Sequence, residues 1–100
     1  MNILTEEEFS KHVGTEFHAK LNKRDVKLIL AEVKGYRPDP TEQSGLERFS
    51  VFFDGPSDFL LPQQSFELQH EHMGAFDIFL VAISGDEKSF RYEAVFNYYS

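Results

Sequence analysis

The last stretch of the chain leaves the least freedom of fold. Phe90, Tyr92, Ala94, Phe96 and Tyr98 alternate with Arg91, Glu93 and Asn97. Successive side chains of a strand point to opposite faces, so this run has one apolar and one polar face and reads as a half-buried strand. Upstream, FDIFLVAI (Phe76 to Ile83) is apolar at nearly every position, the pattern of a strand covered on both sides. Ser84, Gly85 and Asp86 carry turn chemistry between the two runs. An antiparallel hairpin follows, as the expected floor of the core.

The N-terminal part is organised to meet such a sheet. Thr5 before Glu6, Glu7 and Glu8 reads as a helix start, with Thr5 as N-cap, Glu8 at the capping-box position and acids in the first turn. Leu4 and Phe9 stand where a hydrophobic staple would, Gly14 ends the helix, and Phe9 with Val13 forms one apolar stripe for the sheet or a barrel end. So short a helix is unstable alone and must lean on the rest. Thr15–Leu21 alternates, with Phe17, Ala19 and Leu21 inward and Glu16, His18 and Lys20 outward. After a turn at Asn22–Arg24, Asp25–Lys34 is apolar on both faces, which predicts a central strand or a bend where the faces swap.

Gly35–Leu46 (GYRPDPTEQSGL) reads as a long loop. Glu47–Asp54 is a third strand built on Phe49, Val51 and Phe53. Gly55-Pro56-Ser57-Asp58 breaks it, and Phe59-Leu60-Leu61-Pro62 is an apolar insertion in loop sequence. Ser65–His70 is a fourth strand, and His72-Met73-Gly74 a tight turn into the closing hairpin. Six strands with sequential neighbours paired make a single all-β domain over residues 1–100: a small antiparallel barrel or sandwich with a short N-terminal capping helix.

Composition removes several classes of function. Eleven of the aromatic residues are Phe and none is Trp, and Phe is best used as core filling. A net charge of −7 argues against a nucleic-acid partner, which clustered Lys and Arg would hold. The densest basic group, Lys20, Lys23, Arg24 and Lys27, flanks a turn and reads as solvated. Without cysteine there is no disulfide framework and no thiol nucleophile. MNILTEEEF lacks the basic flank and apolar run of a signal peptide, and no segment has the length of a membrane span. The expected location is the cytoplasm, with export by a route that reads no cleaved leader left open, and no membrane partner is expected.

FSVFFDGPSDFLLPQQSFELQHEHMGAFDIFLVAI and RYEAVFN, together with the helix and Gly14-Thr15-Glu16-Phe17, resemble a bacterial family of domains of unknown function of about this length. The resemblance spans nearly the whole chain and implies no catalytic residue. Some members are encoded near phage-tail-collar-like genes, which implies an accessory role in such a system.

Candidate sites are few. His70 and His72 are two apart, as residues sharing a strand face are, and Asp77 follows at a spacing similar to the cupin ligand pattern. The cupin glycine framing and second motif are missing, and a surface pair at a strand end explains the histidines without metal, so no metal or cofactor is assigned. Carboxylates at Glu6, Glu7, Glu8, Glu71, Asp77 and Glu93 read as solvated faces, with Glu93 and Arg91 free to pair with a neighbouring strand. Ser10, Ser50, Ser65 and Ser89 lack a nucleophile-elbow context, and no glycine-rich phosphate loop occurs.

A loop exposing Phe59, Leu60, Leu61 and Pro62 would bind a protein partner, while one folded back would close an open end of the sheet structure. Tyr98 and Tyr99, the Gly35–Leu46 loop and a sheet edge are further candidate surfaces, the edge also offering a route to a homo-oligomer. The preferred expectation is a non-catalytic interaction or assembly module, accessory to a phage-tail-like or surface-fibre system. A small-ligand-binding barrel comes second and a metal-dependent enzyme third.

Overall fold

The computed structural model describes residues 4–35 and 46–99. In chain order these form α1 (Glu6–Ser10), β1 (Glu16–Lys20), β2 (Asp25–Gly35), β3 (Leu46–Pro56), β4 (Gln64–His70), β5 (Gly74–Gly85) and β6 (Ser89–Tyr99). The strands close into an antiparallel barrel in the order β1-β2-β3-β6-β5-β4. Sequential neighbours pair except at one place: β3 pairs with β6 and β4 with β1, so β3 and β4 are not neighbours. The chain between β3 and β4 therefore crosses a barrel end. Apart from its two end residues, the Gly35–Leu46 loop lies outside the described residues.

Alternation sets which side chains fill the barrel. Phe17 and Ala19 of β1, Phe49, Val51 and Phe53 of β3, Phe66 and Leu68 of β4, Ile78 and Leu80 of β5, and Tyr92 and Ala94 of β6 are all buried. In β2 the apolar residues on both faces resolve into a bulge. Leu30 faces Phe53 and Glu32 faces Phe52, so Ala31 is the extra residue and Val33 returns to the interior opposite Val51. Such a bulge bends the strand and renews its alternation.

A second irregularity, at Ile83, corrects the reading of FDIFLVAI as covered on both faces. Phe79 and Ile83 are exposed and Val81 half-buried, because a barrel gives β5 only one covered side. The β5–β6 hairpin is paired only near its turn, from Val81↔Glu93 to Gly85↔Phe90, whereas β3–β6 is paired from Leu46↔Tyr99 to Pro56↔Ser89. Gly55 and Pro56 thus extend β3 rather than break it. The hairpin turn is tied by Asp86, whose carboxylate accepts the amides of Lys88 and Ser89.

Each barrel end has its own closure. At one end Thr5 caps α1, its hydroxyl accepting the Glu8 amide at 3.0 Å. Phe9 then enters among Phe17, Phe49, Phe76 and Phe96, ring centroids 5.6–6.4 Å away. Val13 does not share this face; the helix has already ended, and the side chain is exposed. Gly14, at φ +89°, then reverses the chain into β1. At the other end the β3–β4 connection folds inward and buries Leu61, whose amide donates to the Tyr92 hydroxyl at 2.9 Å. Among the described residues no helix is long and apolar enough to cross a membrane.

Candidate functional site

A cluster of three histidines, His12, His70 and His72, lies at the α1 end. His70 closes β4 with the same inward parity as Phe66 and Leu68, so its ring enters the barrel end, 7% exposed and 4.2 Å from the Phe17 ring. Its Nδ1 accepts the backbone amides of His72 at 3.0 Å and Met73 at 3.1 Å. Its Nε2 lies 2.9 Å from Thr15 Oγ1. That hydroxyl donates its only proton to the His12 carbonyl at 2.6 Å, so toward His70 it is an acceptor. The network thus assigns His70 as a neutral imidazole with its proton on Nε2.

Burial pushes the His70 pKa below its ordinary value of 6.5. His12 and His72 add to the depression and Glu71 opposes it. The ring of His12 lies 4.6 Å from that of His70 and stacks on His72 at 5.7 Å; its Nε2 is 3.6 Å from Glu8. A cleft of about 510 Å³ opens beside this cluster, lined by Thr15, Glu16, His18, Gln69, His70, Glu71 and His72. Sequence reading paired His70 with His72 and missed His12. Nothing in the spacing announces His12, because it arrives through the turn after α1; only its place four residues after Glu8 was visible.

The structure brings the rings of His70 and His72 within 5.9 Å of each other and leaves the third candidate metal ligand, Asp77, apart from them. His70 points into the barrel with both nitrogens engaged, His72 is in the turn, and Asp77 is on the outer face opposite Glu67. Among the described residues no group of three or more His, Asp or Glu side chains is placed to hold a metal ion.

Of the apolar insertion, Leu61 is in the core and Phe59 is half-buried beneath the Arg24 guanidinium, 4.4 Å from its ring centre. Only Leu60 and Pro62 face outward. Tyr98 is half-buried with its hydroxyl donating to the Leu4 carbonyl, and the Tyr99 side chain lies outside the described residues. Arg91 finds its neighbour-strand partner in Asp54, two hydrogen bonds at 2.8 and 3.1 Å across β3 and β6.

Among the described residues, large exposed apolar side chains also lie on the outer face of β5 and β6. Val81 faces Glu93 across the two strands, and Phe79 and Val95 take the next outward position on each. They are 50% and 65% exposed. Beside Phe79, Glu67 and Asp77 stand directly opposite one another on β4 and β5. Lys20 is the cross-strand neighbour of Glu67 on β1, but its ammonium is held by Asp25 at 2.6 Å.

The sequence profile of a family described as a domain of unknown function, DUF6916, matches residues 4–96. The chain belongs to the DUF6916 family. No curated protein and no solved structure matches the chain. Family membership therefore brings a structural unit and no activity, and the chemistry of this DUF6916 domain has to be read from its own side chains.

Thr15 and His70 stand at the distance of a nucleophile and its base. The proton order is the reverse of what acyl transfer needs. His70 presents N–H to the hydroxyl, and its free lone pair is covered by two amides, so it cannot take the threonine proton. In this DUF6916 domain the histidine is a structural clamp between the β4–β5 turn and the segment joining α1 to β1.

Proposed function

We propose that this DUF6916 domain is a non-catalytic protein-binding module whose partner docks on the outer face of β4, β5 and β6. The observation that carries this is the exposure of Phe79 on β5 and of Val95 on β6, with Glu67, Asp77 and Glu93 on the same outer face. An apolar centre with a polar rim is the anatomy of an interface. Glu67 and Asp77 stand opposite one another, with Gln69 Nε2 donating to Glu67 at 2.9 Å, and like charges so placed would favour a cation brought by a partner. The matching surface is a protein with an apolar anchor flanked by Lys or Arg. A second copy of the chain fits poorly, since each copy brings a net charge of −7. The finer form of the proposal is assembly in a bacterial phage-tail-like or surface-fibre system, which rests on the gene association of the resembling family.

The test uses products of adjacent genes as prey and compares baits whose folding is verified by circular dichroism. Phe79→Ser combined with Val95→Ser should weaken binding by at least about tenfold, the loss of one hot-spot contact. Raising salt should weaken the wild-type complex as well. Leu60→Ser should bind like the wild type. Unchanged affinity in the double variant, or a loss confined to Leu60→Ser, would move the interface off this face.

A further inference from the structure

The histidine cluster has a property that neither family membership nor a docking role requires. His70 joins two segments at the α1 end. Through Nδ1 it holds the amides of the Glu71–Met73 turn, and through Nε2 it reaches Thr15 and so the His12 carbonyl. The two amide contacts at Nδ1 exist only for the neutral ring, whereas the Nε2–H bond to Thr15 survives protonation. A proton on Nδ1 would face two N–H donors and abolish both acceptor bonds at once. The charged ring would also be buried against Phe17 and stand 4.6 Å from His12 and 5.9 Å from His72.

We propose that this clamp is a proton-operated latch, which releases the β4–β5 turn from the α1–β1 connection in mildly acid solution and uncovers the aromatic mouth of the barrel. The connection is still fastened to β2 on its other side, where Gly14 donates to Leu30 at 2.7 Å and Leu30 to Thr15 at 3.1 Å. Opening is therefore one-sided: the turn carrying His72 and Met73 swings away while the barrel seams stay paired. What it uncovers is Phe17, Met73 and Phe76 beside Phe9, all buried or half-buried in the closed form.

The surrounding charges decide whether acid opens or tightens the site. From α1 and its connection come Glu8, which shares itself between Lys11 at 3.5 Å and His12 at 3.6 Å, and His12 itself. From β1 come Glu16 and His18, 3.7 Å apart, with Lys27 of β2 also on Glu16 at 3.6 Å. From the turn come Glu71 and His72, 3.9 Å apart and both well exposed. Each carboxylate already has a cation or histidine beside it, and all lie toward solvent. None reaches His70 Nδ1, so protonation of the neighbouring histidines adds like charge around a buried ring that has no carboxylate partner of its own. The sign follows. A histidine with a depressed folded pKa contributes its full stability above its ordinary 6.5 and loses it as pH falls below that.

The experiment compares wild type with His70→Asn, whose Oδ1 can accept the same two amides and does not titrate. Amide exchange is followed at His72 and Met73 between pH 7.5 and 5, each variant referred to its own intrinsic rate. In the wild type, protection of these amides should fall by roughly thirtyfold across that range, what two ordinary hydrogen bonds amount to. Protection in β3 and β6 should hold, and His70→Asn should be flat. Equal pH dependence in the two proteins overturns the latch, as does loss of protection throughout the barrel in step with the turn. Should the variant fail to fold, nitrogen-15 shifts of the wild-type imidazole decide. A neutral ring carrying its proton on Nε2 at pH 7.5 and titrating below 6.5 supports the latch. A proton on Nδ1 at neutral pH, or titration at or above 6.5, overturns it.

Discussion

The phenol oxygen of Tyr92 lies inside the barrel, where it accepts the Leu61 amide, and the side chain is 1% exposed. Removing it leaves a buried N–H without its partner, and that asymmetry makes the bond costly to lose. Tyr92→Phe should therefore destabilise the domain by about 1–3 kcal/mol in urea unfolding, although it adds no cavity of note and keeps the ring. Gly74 makes a parallel case on the backbone. At φ +77° it begins β5 just after the histidine-held turn, in a region that costs other L-residues about 1–2 kcal/mol. Gly74→Ala should lose that much, read as a lower urea midpoint with an unchanged slope. The glycine could be placed in a turn from sequence. The Tyr92–Leu61 bond could not, because FLLP looks the same whether it is exposed or folded inward, and its partner lies 31 residues away.

Among the elements, α1 shows how a segment too short to be a stable helix is held by one side chain. Its five residues supply a single buried group, Phe9, which meets rings from β1, β3, β5 and β6. The Thr5 cap contributes on the order of 1 kcal/mol, and the Phe9 ring considerably more. Phe9→Ala should cost about 3–5 kcal/mol, with Thr5→Ala well below it. A Phe9→Ala cost no larger than that of Thr5→Ala would show that the plug contributes little to the barrel. The capping signals and the staple residues of α1 were legible because they are local. The bulges at Ala31 and Ile83 were not: a bulge is defined by which residue the partner strand skips, and the partner is set by the closed sheet. In β2 the sequence showed only its consequence, apolar residues on both parities. In β5 the same pattern suggested full cover, where Phe79 in fact faces solvent.

At the scale of the molecule, closure is the property least visible in the chain. Alternation reveals each strand and its inner face, since both depend on residues two apart. Which strands are neighbours depends on pairs such as Ala19↔Leu68 and Phe49↔Phe96, far apart in sequence. Barrel and sandwich share one local pattern, so the β1–β4 and β3–β6 seams appear only in the folded chain. The histidine cluster was hidden for the same reason, because His12 meets His70 only once β1 and β4 have paired. The two seams differ in extent. β3–β6 runs the full length of both strands, whereas β1–β4 joins only His18–Lys20 to Glu67–Gln69. Local openings follow the shortest, least supported pairing, so the barrel should part first along β1–β4. In native-state exchange at pH 7.5, amides of that seam should exchange at least about tenfold faster than those of Phe49, Val51 and Ala94 once intrinsic rates are removed. Their exchange should also respond little to dilute denaturant, as small openings do. If both sets exchange with one free energy and one denaturant slope, the barrel opens only as a whole, and the short seam is held as firmly as the long one.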